Sequence, residues 1–315
     1  MAAYLARRVA FALFLVFAVS SASFVLTRLA PGDYVTESLG IDARRETVER
    51  TRARYGLDQP IAEQYRLWLA RAVRLDFGRS LLYDRPVTDL IPGRAANTAV
   101  LAVAALAIAT LVGLPLGIVT GTAGGGVLAA AVGSASIIFL SLPPLLTSLF
   151  LVFLAARTGW LPIGGMGGSL AQQGAMLDAV RHLVVPATAI ALPLAATLER
   201  LQSQAMREVL GEPFVLAALA RGVPRSRVVW RAALKPALKP VASLYGLIIG
   251  TLLSGSFAVE VVTAWPGIGK LMLDALRARD VYLVAGCAAA GALFLAFGTF
   301  VSDLALAAVD PRARE

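Results

Sequence analysis

Between Arg94 and Arg157 the chain runs for 62 residues without one charged side chain. A soluble domain carries about one charged residue in four, and a bilayer crossing takes about 20 apolar residues. The run is therefore membrane-embedded and holds two crossings rather than one, with the turn expected at "GTAGGG", residues 121 to 126. Further uncharged runs at 9–27, 183–198, 240–259 and 281–302 are each bounded by ionisable residues, and Lys, Arg or Asp costs roughly 2.5–3.5 kcal/mol at the bilayer centre. The sequence thus predicts an all-α, multi-pass integral membrane protein with six transmembrane helices. A content of 58% hydrophobic and 16% charged residues, with a mean hydropathy of +0.73, agrees. The 183–198 run is short for a span, so its helix is expected to continue past Glu199 and Arg200, into the cytosol or within a bundle.

The first run follows Arg7 and Arg8 and has two readings, a secretory signal or an uncleaved anchor. Its 19 uncharged residues exceed a typical signal core, and the "TRLAPGDY" that follows offers no small-x-small cleavage site. An uncleaved anchor is expected. The one cysteine, Cys287, permits no intramolecular disulfide and says nothing of redox compartment.

Positive charge orients the spans. Residues 199–240 hold eight basic and three acidic groups, a local excess of five, whereas residues 30–94 hold eleven arginines against ten acids. Lys and Arg in short loops mark the cytosolic side, while long segments translocate largely regardless of charge. The expected layout is a cytosolic N-terminus and first helix over 1–29, an extracytoplasmic helical segment over 30–94, and a five-helix core over 95–315 with both termini in the cytosol. In the outer segment, "DARRETVERTRARYG" alternates charges at helical spacing, and Ile61, Tyr65, Trp68, Leu69 and Val73 fall near one face. Two amphipathic helices are predicted there. They fit equally a cap that seals the bundle and a docking platform for an extracellular partner.

The cytosolic stretch "FVLAALARGVPRSRVVWRAALKPALKP", residues 214 to 240, has six basic groups and no acid. Gly222 suits the left-handed position that ends a helix, and Pro224 suits the first turn of the next. Pro236 and Pro240 are expected to end that second helix. Small residues at Ala217, Ala218 and Ala220 allow close approach of another protein, with Arg221, Arg225, Arg227 and Arg231 around them. The same bent pair would also rest on anionic lipid headgroups, which attract basic residues with about 1 kcal/mol each.

This stretch resembles the EAA loop of ABC importer permeases, in which a helix, a glycine and a second helix form the element that seats in the ATPase subunit. "YLARRVAFALFLVFAVSSASFVLTRLAPGD", "RYGLDQPIAEQYRLWLARAVRLDFGRSL", "TAWPGIG" with "ARD", and "AVDPRAR" are similar to the remaining signatures of the dipeptide, oligopeptide and nickel subfamily. "PGDY" stands where "PGDP" is common, and Pro213 and Phe214 blur the opening of the loop. The resemblance implies the type I ABC importer permease fold in a bacterial or archaeal cytoplasmic membrane. It implies a coupling loop at about 207–240 carried by Ala217, Ala218, Arg221, Gly222, Pro224, Arg225 and Arg227. An outer gate or binding-protein contact would fall to Trp68, Glu260, Trp265, Pro266, Gly267 and Gly269. The implied partners are a second homologous permease, two cytosolic ATP-binding subunits that hold ATP and Mg, and an extracellular or periplasmic binding protein. The implied cargo is short peptides, with nickel chelates, glutathione, opines and sugars as alternatives.

An enzyme is not expected. "GIGKL" lacks the upstream glycine and the following hydroxyl of a phosphate loop, and "GTAGGG" lies between apolar spans rather than between strand and helix. The chain is expected to bind no cofactor, metal or nucleic acid. His182 is the only histidine, and it fits an interfacial position better than proton transfer. Glu260 closes the fifth span and fits a structural acceptor better than an ion path. An ion-driven secondary transporter would show buried ionisable groups or broken helices near the midplane. The spans are almost free of acids, yet Pro115, Pro143, Pro144, Pro186 and Pro193 leave broken helices open. A receptor-like scaffold would explain the outer segment and basic loop without transport.

Overall fold

The structure is a computed structural model that describes residues 2–40, 44–166 and 175–309. Asp42 and Ala43 of the first outer helix pattern, and most of "AVDPRAR", lie outside the described residues. The regular elements are helical: α1 (Ala2–Leu29), α2 (Tyr34–Leu39), α3 (Arg45–Tyr55), α4 (Ile61–Ala72), α5 (Val87–Thr122), α6 (Val127–Ser141), α7 (Pro144–Thr158), α8 (Ala175–Leu210), α9 (Pro213–Ala220), α10 (Arg225–Ala237), α11 (Lys239–Gly255), α12 (Phe257–Val262), α13 (Ile268–Arg277) and α14 (Val281–Val309). Helices are what apolar sequence must form in lipid, since each backbone group is then satisfied within its own segment.

Four helices, α1, α5, α8 and α14, are individually long and apolar enough to cross a membrane. The remaining candidates are bent pairs, which brings the count to as many as six. The turn in the charge-free run falls at 123–126, between α5 and α6. The second crossing expected in that run is not one helix: α6 and α7 meet at 104°. Pro143 and Pro144 cause the break, because the residue before a proline is driven out of the helical region, and Leu142 is extended at φ −94°, ψ 117°. Each arm has 15 residues, about 22 Å at 1.5 Å per residue, short of the roughly 30 Å hydrocarbon core. Pro186 and Pro193 lie inside α8 without ending it. As expected, α8 passes Glu199 and Arg200 and ends at Leu210.

The chain forms two compact units. One comprises residues 1–99 and 266–297, the other 100–265 and 298–315. In the first, Phe24 of α1 stacks on Trp68 of α4 at 4.9 Å between ring centroids, with Tyr65 and Tyr282 alongside. Both amphipathic helices of the outer segment form, as α3 and α4. Val73, expected on the packed face, instead sits past the end of α4 and is 79% exposed, while Gln64 is buried. The 94/95 boundary falls inside α5, which begins at Val87.

The second unit is built on the close pairing of α5 with α8. Gly113, Gly117 and Gly121 recur every fourth residue and lie against the α8 backbone. A Cβ at Gly117 would stand 2.6 Å from the Glu199 carbonyl oxygen and 2.7 Å from the Gln202 Cβ. Spacing of four keeps the glycines on one helix face, and the missing side chains let the helices approach. Around them Leu101, Ala105, Ala109, Ala191, Leu198 and Trp265 form part of the core.

Candidate coupling loop and outer-side motifs

The loop is built by its own local chemistry. Pro213 opens α9, where a missing N–H is harmless. At its end the Gly222 N–H donates to the Leu219 carbonyl at 2.9 Å and the Val223 N–H to the Ala218 carbonyl at 3.2 Å. This paired reverse bonding is a Schellman stop, and it requires the φ of +80° that Gly222 adopts. Pro224 stands one residue earlier than expected, as the N-cap of α10 rather than within its first turn.

Only Val215 of α9 is buried. Phe214, Leu216 and Leu219 are exposed, as is Ala217, and Ala218 is half-buried. The eight-residue apolar helix is thus displayed with most of its large side chains exposed. Of the arginines expected on it, Arg221 bonds back to the Ala217 carbonyl at 3.2 Å. Arg225 reaches the Thr122 carbonyl, the last residue of α5, at 2.9 Å, and Arg207 reaches the Thr120 carbonyl at 3.4 Å. Cations at these unpaired carbonyls complement the negative end of the α5 dipole, so Arg225 ties the loop to α5. Arg227 is exposed.

The second helix is not ended by its prolines. Residues 228–233 form a widened π-turn, with the Leu234 N–H bonded to the Val229 carbonyl five residues back. The wide turn makes room for Pro236, whose ring would otherwise strike the Ala232 carbonyl. The break comes at Leu238, a bend of 42°, and Pro240 takes an early position in α11. Val229, Ala233 and Ala237 pack on Ala205 and Met206 of α8.

A polar site beside the loop was not anticipated. Glu199, 3% exposed, accepts from the Thr120 hydroxyl at 2.6 Å and the Ser136 hydroxyl at 2.7 Å. A cleft of about 370 Å³ adjoins it, lined by Gly133, Arg200, Ser203 and Arg207 among others. The sequence signal available was the paired Glu199 and Arg200 at the edge of a short apolar run.

The outer-side residues prove to be internal. Trp68 is 3% exposed within the aromatic cluster of the first unit. In the same unit the Asn97 amide donates to the Pro266 carbonyl at 2.9 Å, the Ile268 N–H donates to the Thr98 hydroxyl at 2.9 Å, and Gly267 and Gly269 are buried at the start of α13. In the second unit Glu260 is fully buried and accepts from the Ser256 hydroxyl at 3.0 Å, and Trp265 is 1% exposed. Trp68, Glu260, Trp265, Gly267 and Gly269 are thus buried in this conformation, and Pro266 is half-buried.

Within "ARD" the chemistry falls on Asp280. It accepts from the Ser80 hydroxyl at 2.6 Å and from the N–H groups of Leu82 and Leu283 at 3.0 and 3.1 Å. Burial pushes its carboxyl above the usual range, against the pull of these donors. The bonds hold residues 80–82 to the start of α14.

The fold is helical, with four to six candidate membrane spans, and displays a helix–glycine–helix element. The chain belongs to the family described as binding-protein-dependent transport system inner membrane component: that family's profile matches residues 113–315, and the N-terminal profile of the same systems matches 1–102. Over 314 residues it is 31% identical to the oligopeptide transport system permease protein AppB of Bacillus subtilis, covering 99% of each chain. It is 32% identical over 334 residues to the di/tripeptide transport system permease protein DppB of Pseudomonas aeruginosa, covering 100% of this chain and 99% of that one. It is thus a permease subunit of an ABC importer.

Proposed function

We propose that this permease carries short peptides, handed over by an extracellular binding protein, along a path it forms with a second homologous permease. Two cytosolic subunits bind ATP and Mg and hydrolyse the nucleotide, and α9 with the Gly222 turn seats on them. Both termini and residues 199–240 face the cytosol, and residues 30–86 face outward. The observation that carries the cargo assignment is near-full-length similarity to two permeases named for peptides. The coupling assignment is carried by the exposed apolar face of α9 beside a positive-φ turn that favours glycine.

The test is uptake into proteoliposomes holding the complete importer. Sidedness is set by single cysteines at Ser226 and Thr47, both exposed, in a Cys287-free background and read with a membrane-impermeant thiol reagent. Labelled di- to oligopeptides are expected to accumulate only with ATP on the residue 226 side and binding protein on the residue 47 side. If peptides leave ATP turnover at its basal rate while a metal chelate or sugar raises it, the peptide assignment fails and the importer stands. Uptake with the two sides exchanged would overturn the orientation.

A further inference from the structure

Two stripes run along the helical stretch that begins at Arg225. Val229, Ala233, Ala237 and Val241 recur every fourth residue and are at most 8% exposed. Arg227, Arg231, Lys235 and Lys239 recur at the same spacing, displaced by two residues, and all four are exposed. Two residues correspond to about 200° around an α-helix, so the cations stand opposite the face packed on α8. Among the described residues no ion pair engages any of the four. The chain has no acid from residue 213 to residue 259.

We propose that this basic ladder is a docking surface for anionic phospholipid headgroups. Its rungs lie about 6 Å apart along the axis, and the last, Lys239, is the first residue of α11, the apolar arm of a bent pair long and apolar enough to be a membrane span. The ladder therefore meets the membrane rather than ending in solvent. The 42° bend at Leu238 tilts α10 away from the α11 axis. Trp230, 62% exposed beside them, is the aromatic type that settles at headgroup depth. Long Lys and Arg stems reach such a surface with their charges in the polar layer. The protein-facing chemistry of the loop, by contrast, is the apolar α9. The inference does not depend on the peptide assignment.

The test titrates the detergent-purified, fully assembled importer with phosphatidylglycerol or with phosphatidylcholine of the same chains, and reads bound lipid by native mass spectrometry. Wild type is expected to prefer phosphatidylglycerol. Each rung removed is expected to weaken that binding about fivefold, since a basic group near an anionic surface contributes about 1 kcal/mol. The pair Lys235→Gln and Lys239→Gln is the first variant, and Lys235→Arg with Lys239→Arg restores binding. Phosphatidylcholine binding stays unchanged, and added salt narrows the difference. Should the glutamine pair fail to assemble, Lys235→Gln and Lys239→Gln are each read alone in the same titration. Undiminished phosphatidylglycerol binding in the variants overturns the proposal. So does loss of the ATPase subunits with lipid binding intact, which would assign the ladder to a protein partner.

Discussion

The carboxyl of Asp33 closes two structures at once. It caps α2 through the Thr36 N–H at 2.9 Å and meets Arg52 Nε of α3 at 2.6 Å. Burial works against its charge, but the Arg52 bond and the Thr36 N–H and hydroxyl outweigh it and hold the group below its ordinary value. A depressed pKa contributes stability that is complete above the unfolded value and is lost as pH falls through the folded one. Asp33→Asn keeps the cap and loses the ion pair, so its thermal unfolding should lie modestly below wild type at neutral pH, by less than about 1 kcal/mol for a pair partly open to solvent. The gap should hold down to about pH 4 and shrink below it, whereas Asp33→Ala should lose about 1 kcal/mol more. A gap that widens below pH 4 would contradict this account. At this scale legibility was uneven. Gly222 was readable because its role is a backbone angle set by its neighbours in sequence. Trp68 was placed on the apolar face of α4 by helical spacing and packs there, but Trp265 was not readable, since whether an aromatic side chain is surface or core depends on what distant segments bring against it.

Helices were legible where burial in lipid and local propensity agree, as in α1, α5, α8 and α14. They were less so at prolines, whose effect depends on context. The Pro143–Pro144 pair produces a 104° bend, Pro186 and Pro193 are absorbed within α8, and Pro236 is accommodated by a π-turn. A proline removes one bond and adds one ring, and neighbouring turns decide whether that breaks the helix. The α5–α8 contact was written in the four-residue glycine spacing but called for knowledge of the facing helix. Gly117→Ala places a methyl against the α8 backbone, and overpacking of this kind costs about 1–3 kcal/mol. A lower midpoint in detergent-solubilised thermal unfolding is expected, while Gly133→Ala, where a Cβ meets nothing within 4 Å, should be neutral. Equal midpoints for the two variants would show that α5 and α8 do not pack as described.

At the scale of the whole molecule, the loop is proposed to link ATP hydrolysis on partner subunits to transport. The class was legible because membrane burial leaves a composition and a periodicity, whereas the span number was less so, since four helices qualify alone and six only when each bent pair counts as one. The tie from Arg225 to the end of α5 was not legible, being a contact across 103 residues. Beside Gly222 there is open space, with no atom within 4 Å of where a Cβ would stand, so the demand for glycine inside this chain is conformational alone. A β-branched residue resists positive φ, whereas asparagine tolerates it. The direct measurement is substrate-stimulated ATP hydrolysis by the reconstituted complex carrying Gly222→Val or Gly222→Asn. The valine complex is expected to insert and assemble but to lose most of its stimulation, while the asparagine complex keeps most of it. A valine complex with normal stimulated hydrolysis and normal uptake would contradict the claim.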